Sequence, residues 1–284
     1  MTADHPGSRA ARFRHLHDAL FLMPNAWDAA SARLFARQAP AVGTSSAAAA
    51  ATLGLRDGER IGRSGALSAA AAIIRAVDPI PVNVDLEAGF GDTPEAVADV
   101  VGEAVALGAA GINLEDTDPA TGELRDLGLQ TEIVAASAEA IARRDPDVVL
   151  NARTDVFWNG VGEPAERPAH ARARLERYLG AGATCLFIPG FTPSVDDRAL
   201  IGEVVGGWAP APVNLLASAA LGPDRDELAA AGVRRISFGS SLYRAALAHA
   251  AGLVGAVAES GDWSALASAD ALTYGRLAEV AAPR

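Results

Sequence analysis

The chain has 284 residues, 24 of them basic and 35 acidic, for a formal net charge of −11; that sign excludes nucleic-acid binding by phosphate neutralisation. Half of the residues are hydrophobic and 21% are charged, a balance that builds a large buried core and excludes a disordered chain. All 24 basic residues are Arg, so chemistry that needs a lysine amine (Schiff bases, pyridoxal phosphate anchoring, a P-loop) is excluded as well.

Residues 1–18 read as a polar N-terminal segment. Eight short apolar or β-branched runs follow: Leu20 to Met23, Ala41 to Ser45, Ile80 to Leu86, Gly111 to Leu114, Val148 to Ala152, Thr184 to Ile188, Pro212 to Leu216 and Arg235 to Phe238. Between them lie Ala-rich stretches of helical length, with starts expected near Trp27, Ser64, Thr93, Gln130, Pro164, Ser194, Asp224 and Ser240. Thr93 and Pro94 carry a capping signal. Gly108, Gly182 and Gly232 each end a helix just before a strand. Strands alternating with helices pair in parallel, so the expected fold is α/β, a single (β/α)8 TIM barrel over 1–284, with extra C-terminal helices over 258–284. An open doubly wound sheet is the alternative.

The lone Cys185 rules out an internal disulfide and a multi-cysteine metal site. His5, His15, His17, His170 and His249 all lie away from the predicted strand ends, which disfavours zinc and a Ser-His-Asp triad. No apolar run of signal length and no 18-residue apolar stretch is read, so the expected location is cytoplasmic, without a membrane partner.

In such a barrel the active site is built at the carboxyl ends of the strands. The third predicted strand ends in Asp85, Leu86, Glu87, whose alternation points both acids the same way. The fourth brings Glu115, and Asp57 lies in the loop after the second. Oxygen-only ligands suit Mg²⁺, with Mn²⁺ as the alternative: Asp85, Glu87 and Glu115 would hold it, and Asp57 would act at longer range or through water. Asp92 and Asp116 are expected to cap helices or pair with Arg. At the fifth strand end, Arg153 can hold a substrate carboxylate or phosphate, or stabilise an enolate; ion pairs to Asp155 or Glu115 are the competing use. The turn Ser45, Ser46, Ala47 offers hydroxyls and N–H groups to an anion.

With these clusters in order, the sequence resembles the isocitrate lyase and phosphoenolpyruvate mutase superfamily. The carriers are Pro24-Asn25-Ala26-Trp27-Asp28, Asp85-x-Glu87-x-Gly89-Phe90-Gly91, Asn113-Leu114-Glu115-Asp116, Asn151-Ala152-Arg153-Thr154-Asp155 and Phe187-Ile188-Pro189-Gly190. The resemblance implies a barrel that is a homo-oligomer, tetramer or dimer, often with helices exchanged between subunits. It also implies Mg²⁺ and a small 2-oxo or 2-hydroxy carboxylate substrate. It makes Asp85, Glu87, Glu115 and Asp57 the metal acids, Ser45, Ser46 and Ala47 the carboxylate or oxyanion turn, Arg153 the substrate arginine and Asn214 the polar residue near the substrate's distal end.

The departures shape the reaction. The family's lyases carry a Lys-x-Cys-Gly loop after the fourth strand; here Asp116 to Leu129 reads DTDPATGELRDLGL. Methylisocitrate lyases have Glu where this chain has Pro189-Gly190. A metal-assisted lyase that needs no thiol, of the oxaloacetate-decarboxylating type, is therefore expected, with Asp85, Glu115 and Arg153 as its catalytic groups. The rivals are a carbon–carbon lyase using Glu123, Arg125 or Asp126 in place of the cysteine, a phosphonate mutase or hydrolase relying on Arg125, and a non-catalytic carboxylate-binding barrel.

Overall fold

The chain closes into a barrel through a strand that proline breaks in two. Pro24 has no N–H to give a ladder, and it separates β1 (Phe21–Met23) from β2 (Asn25–Ala26). β1 pairs with the last strand and β2 with the next, both in parallel, so the interrupted strand joins the two edges of the sheet. The computed structural model describes residues 7–194, 198–267 and 272–282.

The remaining elements are α2 (Ala29–Phe35), β3 (Val42–Thr44), α3 (Ser46–Thr52), α4 (Gly62–Val77), β4 (Val82–Asp85), α5 (Pro94–Ala106), β5 (Gly111–Leu114), α6 (Leu127–Ala142), β6 (Val149–Arg153), α7 (Arg167–Gly180), β7 (Cys185–Ile188), α8 (Arg198–Val205), β8 (Val213–Leu216), α9 (Arg225–Ala231), β9 (Val233–Ser237), α10 (Ser241–Ser260), a 3₁₀ turn (Trp263–Ala267) and α11 (Tyr274–Ala281), with α1 (Arg9–Leu16) ahead of them all. The nine parallel strands run in the order β1-β9-β8-β7-β6-β5-β4-β3-β2. This is the expected TIM-type barrel with C-terminal helices, its first strand position filled by two pieces, β1 and β2. Gly108, Gly182 and Gly232 take the left-handed conformation (φ 98°, 102° and 108°) that stops each helix ahead of a strand.

Three features add to what the sequence shows. The N-terminal segment contains α1, which carries Phe13, fully buried, into the barrel's floor; a Cβ on Gly111 of β5 would lie 2.6 Å from its ring. Beneath this ring lies Arg235 of β9, also fully buried, 5.6 Å from the ring centre. His17 is buried here too, and burial, with the nearby Arg235 charge, lowers it to about 3. Second, α10 runs to Ser260, and the 3₁₀ turn and α11 follow it. Third, α10 is an apolar stretch the sequence reading did not register: an 18-residue window within it has a mean hydropathy of 1.2, and none of its residues is buried. The helix expected near Ser194 is described from Arg198, and 195–197 lie outside the described residues.

Candidate active site

The carboxyl ends of the strands surround a cavity of about 90 Å³, roughly three waters at ~30 Å³ each. Of the residues singled out from sequence, Ser45, Ser46, Ala47, Asp57, Asp85 and Arg153 line it. Glu87, Glu115 and Asn214 stand behind that wall. Trp158, Phe187, Pro189 and Leu216 give one apolar side, and Ser237 to Ser241 with Arg244 form the side at the end of β9.

Asp85 ends β4, and Ser46 at the start of α3 gives its Oδ2 two hydrogen bonds, from N at 3.1 Å and from Oγ at 2.8 Å. Ser45 caps α3 through Ala48 N. The Ser45–Ser46 turn therefore spends its side chains on the fold and on Asp85. Its Oδ1 keeps one long contact, 3.5 Å from Glu87 N.

Glu87 does not follow the alternation that the sequence suggested. The strand ends at Asp85 and Glu87 is left-handed (φ 52°), so its carboxylate turns to the loop after α3, where Oε2 accepts from Gly58 N at 2.9 Å and Glu59 N at 2.6 Å. Glu59 returns the favour, its Oε1 accepting from Phe90 N at 2.6 Å. Glu59 and Phe90 are left-handed as well (φ 61° and 55°), so three non-glycine residues hold an uncommon conformation at one spot. This clasp sets Asp57 at the cavity.

The acids crowd one another. Burial, with the charges of Asp85 and Asp57, pushes Glu87 up to about 8 despite its two N–H donors. Burial and Asp85 raise Asp57. Burial, with Asp155 and Asp85, raises Glu115 against the pull of Arg153. Glu87 Oε1 is buried with no hydrogen-bond partner among the described residues. A buried carboxylate oxygen beside other acids, with the Asp57 side chain in hydrogen-bond contact with Glu87, is satisfied by a cation or by a shared proton. Among the described residues no three acid, His or Cys side chains gather closely enough to enclose an ion by themselves. Mg²⁺ takes one or two carboxylates directly and keeps several waters, so acids spaced this way fit it.

Arg153, at the end of β6, is shared. Nη1 reaches Glu115 Oε2 at 2.7 Å, while Nε and Nη2 reach Asp155 at 2.6 and 3.1 Å. Burial alone would weaken the guanidinium's hold on its proton, but Asp155 and Glu115 raise it above the ordinary Arg range. Both ion pairs weighed from sequence are present, and Arg153 is a fixed positive group rather than a free clamp. Behind it, Asp116 pairs with Arg174, as expected for it, and accepts from Tyr178 OH at 2.7 Å and Thr154 Oγ1 at 2.8 Å.

Asn214 is fully buried and donates Nδ2 to Ser237 Oγ at 3.2 Å, so it supports a cavity residue from behind. Cys185 is buried in β7, 3.5 Å from Arg235 Nη2. The loop 116–129 contributes no described residue to the cavity. Arg125 is pinned by the carbonyls of Ala88 and Gly91, and Asp126 caps α6.

Sequence reasoning missed Asn25, Asn113, Ser237, Ser240, Ser241 and Arg244. Asn25 donates to Thr44 O at 2.7 Å and accepts from Phe238 N and Gly239 N at 2.8 and 3.0 Å, tying the first strand to the loop after the last. The signal for Ser237, Ser240, Ser241 and Arg244 was available, because they stand at or just past the carboxyl end of β9, where the barrel rule places site residues; Asn113 lies within β5.

Fold and site together are those of a parallel α/β barrel that carries buried acids and a fixed guanidinium at the carboxyl ends of its strands. The family model of phosphoenolpyruvate phosphomutase matches residues 13–258, and the chain belongs to that family. A phosphoenolpyruvate phosphomutase of Streptomyces hygroscopicus is 30% identical over 201 residues, 69% of this chain and 62% of that protein. A solved chain from Burkholderia cenocepacia J2315, provisionally assigned as a phosphonomutase, is 40% identical with a TM-score of 0.79, covering 88% of this chain and 100% of its own. Oxaloacetate acetylhydrolase with its product oxalate is 25% identical with a TM-score of 0.82, covering 98% and 95%. These neighbours belong to the superfamily of lyases and mutases that the motifs suggested.

Proposed function

We propose that the chain is a divalent-metal-assisted lyase of small 2-oxo or 2-hydroxy carboxylates, with oxaloacetate-type decarboxylation as its reaction. The observation that carries this reading is the bare, buried Glu87 Oε1 among Asp57, Asp85 and Glu115, beside a fixed guanidinium and a cavity sized for a small acid. Asp85 would hold Mg²⁺ or Mn²⁺ directly, with Glu87, Glu115 and Asp57 acting through water; the ion would supply polarisation of the 2-oxo group. Arg153, locked by Asp155 and Glu115, stands ready to stabilise negative charge as it develops on the enolate oxygen, with no reorganisation needed. As the bond to the leaving carboxylate breaks, its electron pair moves to that oxygen, and the departing neutral carbon dioxide meets the apolar side formed by Trp158, Phe187, Pro189 and Leu216.

The pinned Arg125 counts against the phosphonate alternative, because in this structure it brings no cation from the loop to the cavity. Likewise Glu123 and Asp126 do not line the cavity, which counts against their replacing a loop cysteine. Oligomerisation belongs to the same proposal: Leu247 and Val254 of α10 are 52% and 70% exposed, and a second copy of the chain would cover them. A cytoplasmic location fits the proposed soluble substrate. The test is oxaloacetate consumption by purified protein with Mg²⁺ and with chelator. Metal-dependent loss with pyruvate as product supports the reading, and the spontaneous rate in both conditions excludes it.

A further inference from the structure

The layer of the barrel interior just beneath the mouth is polar, where barrels of this kind pack branched apolar side chains. Side chains two apart on a strand share a face. Asn83 therefore lies one layer below Asp85, Asn151 below Arg153, Cys185 below Phe187 and Arg235 below Ser237, and the four upper residues all line the cavity. The four lower ones are fully buried. Arg235 has no acid partner among the described residues: Nη1 donates to Asn83 Oδ1 at 3.0 Å, Nη2 lies 3.5 Å from Cys185 Sγ, and the buried Nε has no partner. A buried charge without a counter-ion is costly, so its presence here calls for a task that no apolar side chain performs.

That task is legible in the direction of the hydrogen bonds. A guanidinium only donates, so Asn83 must turn its Oδ1 to Arg235, and its Nδ2 is left for Asn113, whose Oδ1 it reaches at 3.1 Å. Asn151 Nδ2 donates to the same oxygen at 2.5 Å. With Oδ1 held by these two amides, Asn113 presents Nδ2 to the cavity that it lines, and this NH₂ group donates to no described residue. Asn113 is itself only 5% exposed. The far end of the chain fixes nothing, because Asn151 Oδ1 is buried without a partner. An asparagine amide turns over with little change of shape, so Arg235 is the one member of this chain whose polarity cannot reverse.

We infer that Asn113 Nδ2 donates to an oxygen of the bound acid, and that Arg235, acting through Asn83, is the positioning residue that keeps the donor end of Asn113 turned to the cavity. The inference rests on the reading of this cavity as the site of a small carboxylate. Carboxylate and 2-oxo oxygens are acceptors, and the wall that receives them already holds Asp57 and Asp85. An N–H aimed inward attracts such an oxygen, whereas Asn113 Oδ1 in the same place would repel it. A hydrogen bond to a charged oxygen is worth about tenfold to a hundredfold in affinity. If Arg235 served packing alone, the two ends of the Asn113 amide would be equivalent.

The test is oxalate binding to the full-length protein in Mg²⁺, by calorimetry. Asn83→Asp keeps the shape and gives Arg235 a counter-ion, but its second oxygen can only accept, so Asn113 must turn Nδ2 to it and Oδ1 to the cavity. This variant is expected to bind oxalate at least tenfold more weakly with its melting temperature maintained. In an Asn113→Leu background there is no amide to turn and only the added charge acts, so the loss caused by Asn83→Asp is expected to shrink at least fivefold. Arg235→Met, which removes the fixed donor, is expected to bind oxalate more weakly than Arg235→Lys, which still only donates. Wild-type affinity in Asn83→Asp, the same loss with and without the Asn113 amide, or equal affinity in the two Arg235 variants overturns the inference. Should these buried variants fail to fold, wild type decides by NMR: the side-chain NH₂ signal of Asn113 is expected to shift on adding oxalate, and a signal that oxalate leaves in place overturns the inference. Oxalate that binds equally well without Mg²⁺ but still needs the Asn113 amide would sustain the inference and remove the metal reading; no oxalate binding by wild type would remove both.

Discussion

Asp155 grips Arg153 with both carboxylate oxygens, Oδ1 on Nε at 2.6 Å and Oδ2 on Nη2 at 3.1 Å, and only 1% of the Asp155 side chain is exposed. Thr117 Oγ1 also donates to Oδ2, at 2.7 Å. Asp155→Asn keeps the shape but removes the charge that fixes the guanidinium. Breaking a buried pair from one side costs about 3 kcal/mol, so urea unfolding should shift by that amount. Turnover of oxaloacetate should fall further than substrate binding does, because Arg153 is no longer aimed. A variant with wild-type stability and turnover would show that the pair is incidental.

The crowded acids make stability pH-dependent when metal is withheld. Glu87 is raised from 4.5 to about 8, so the folded state keeps a proton that the unfolded chain has released. By linkage, stability then falls as pH rises from about 4.5 towards about 8 and levels off above it. Asp57 and Glu115 are raised too and add to the same slope. Melting temperature in chelator should decline over that window. The decline should shrink in Glu87→Gln, and added Mg²⁺ should flatten it. A wild-type slope in Glu87→Gln would show that Glu87 is not the group responsible.

Gly89 precedes the left-handed Phe90 in the turn behind the acids. It has φ 103°, and a Cβ there would lie 2.4 Å from Val97 Cγ1. Gly89→Ala combines a forbidden conformation with a core clash and should cost about 2 kcal/mol or more, displacing Glu87 with it. Chemical denaturation together with Mg²⁺ affinity measures both effects; a fully stable variant would mean that the turn has another conformation open to it.

Assembly is open to the same kind of check. Val254→Arg and Leu247→Arg place charge on the exposed face of α10, so sedimentation should show smaller species than wild type. A wild type that sediments as a monomer would remove α10 from any interface.

The strands and helix stops were readable because they rest on local chemistry: Thr93 caps α5 through Ala96 N, Asp28 caps α2 in a box with Ser31, and three glycines adopt the conformation their positions implied. What stayed hidden depends on long-range geometry. The polar sequence of α1 conceals Phe13, which is buried only because the barrel offers it a floor. Alternation placed Glu87 beside Asp85, but that rule holds only while the strand continues, and the strand ends one residue short of Leu86. Arg153 was readable as a site residue, while its pairing with two acids appears only once strands distant in sequence are brought to one mouth.

The central claim concerns a divalent ion at this mouth, and the most direct measurement is anomalous diffraction from crystals soaked in Mn²⁺ and oxalate. One Mn²⁺ peak is expected next to Asp85, with Glu87, Glu115 and Asp57 around it and oxalate in the cavity beside Arg153. An anomalous peak elsewhere, or oxalate bound in the cavity with no ion near Asp85, would contradict it.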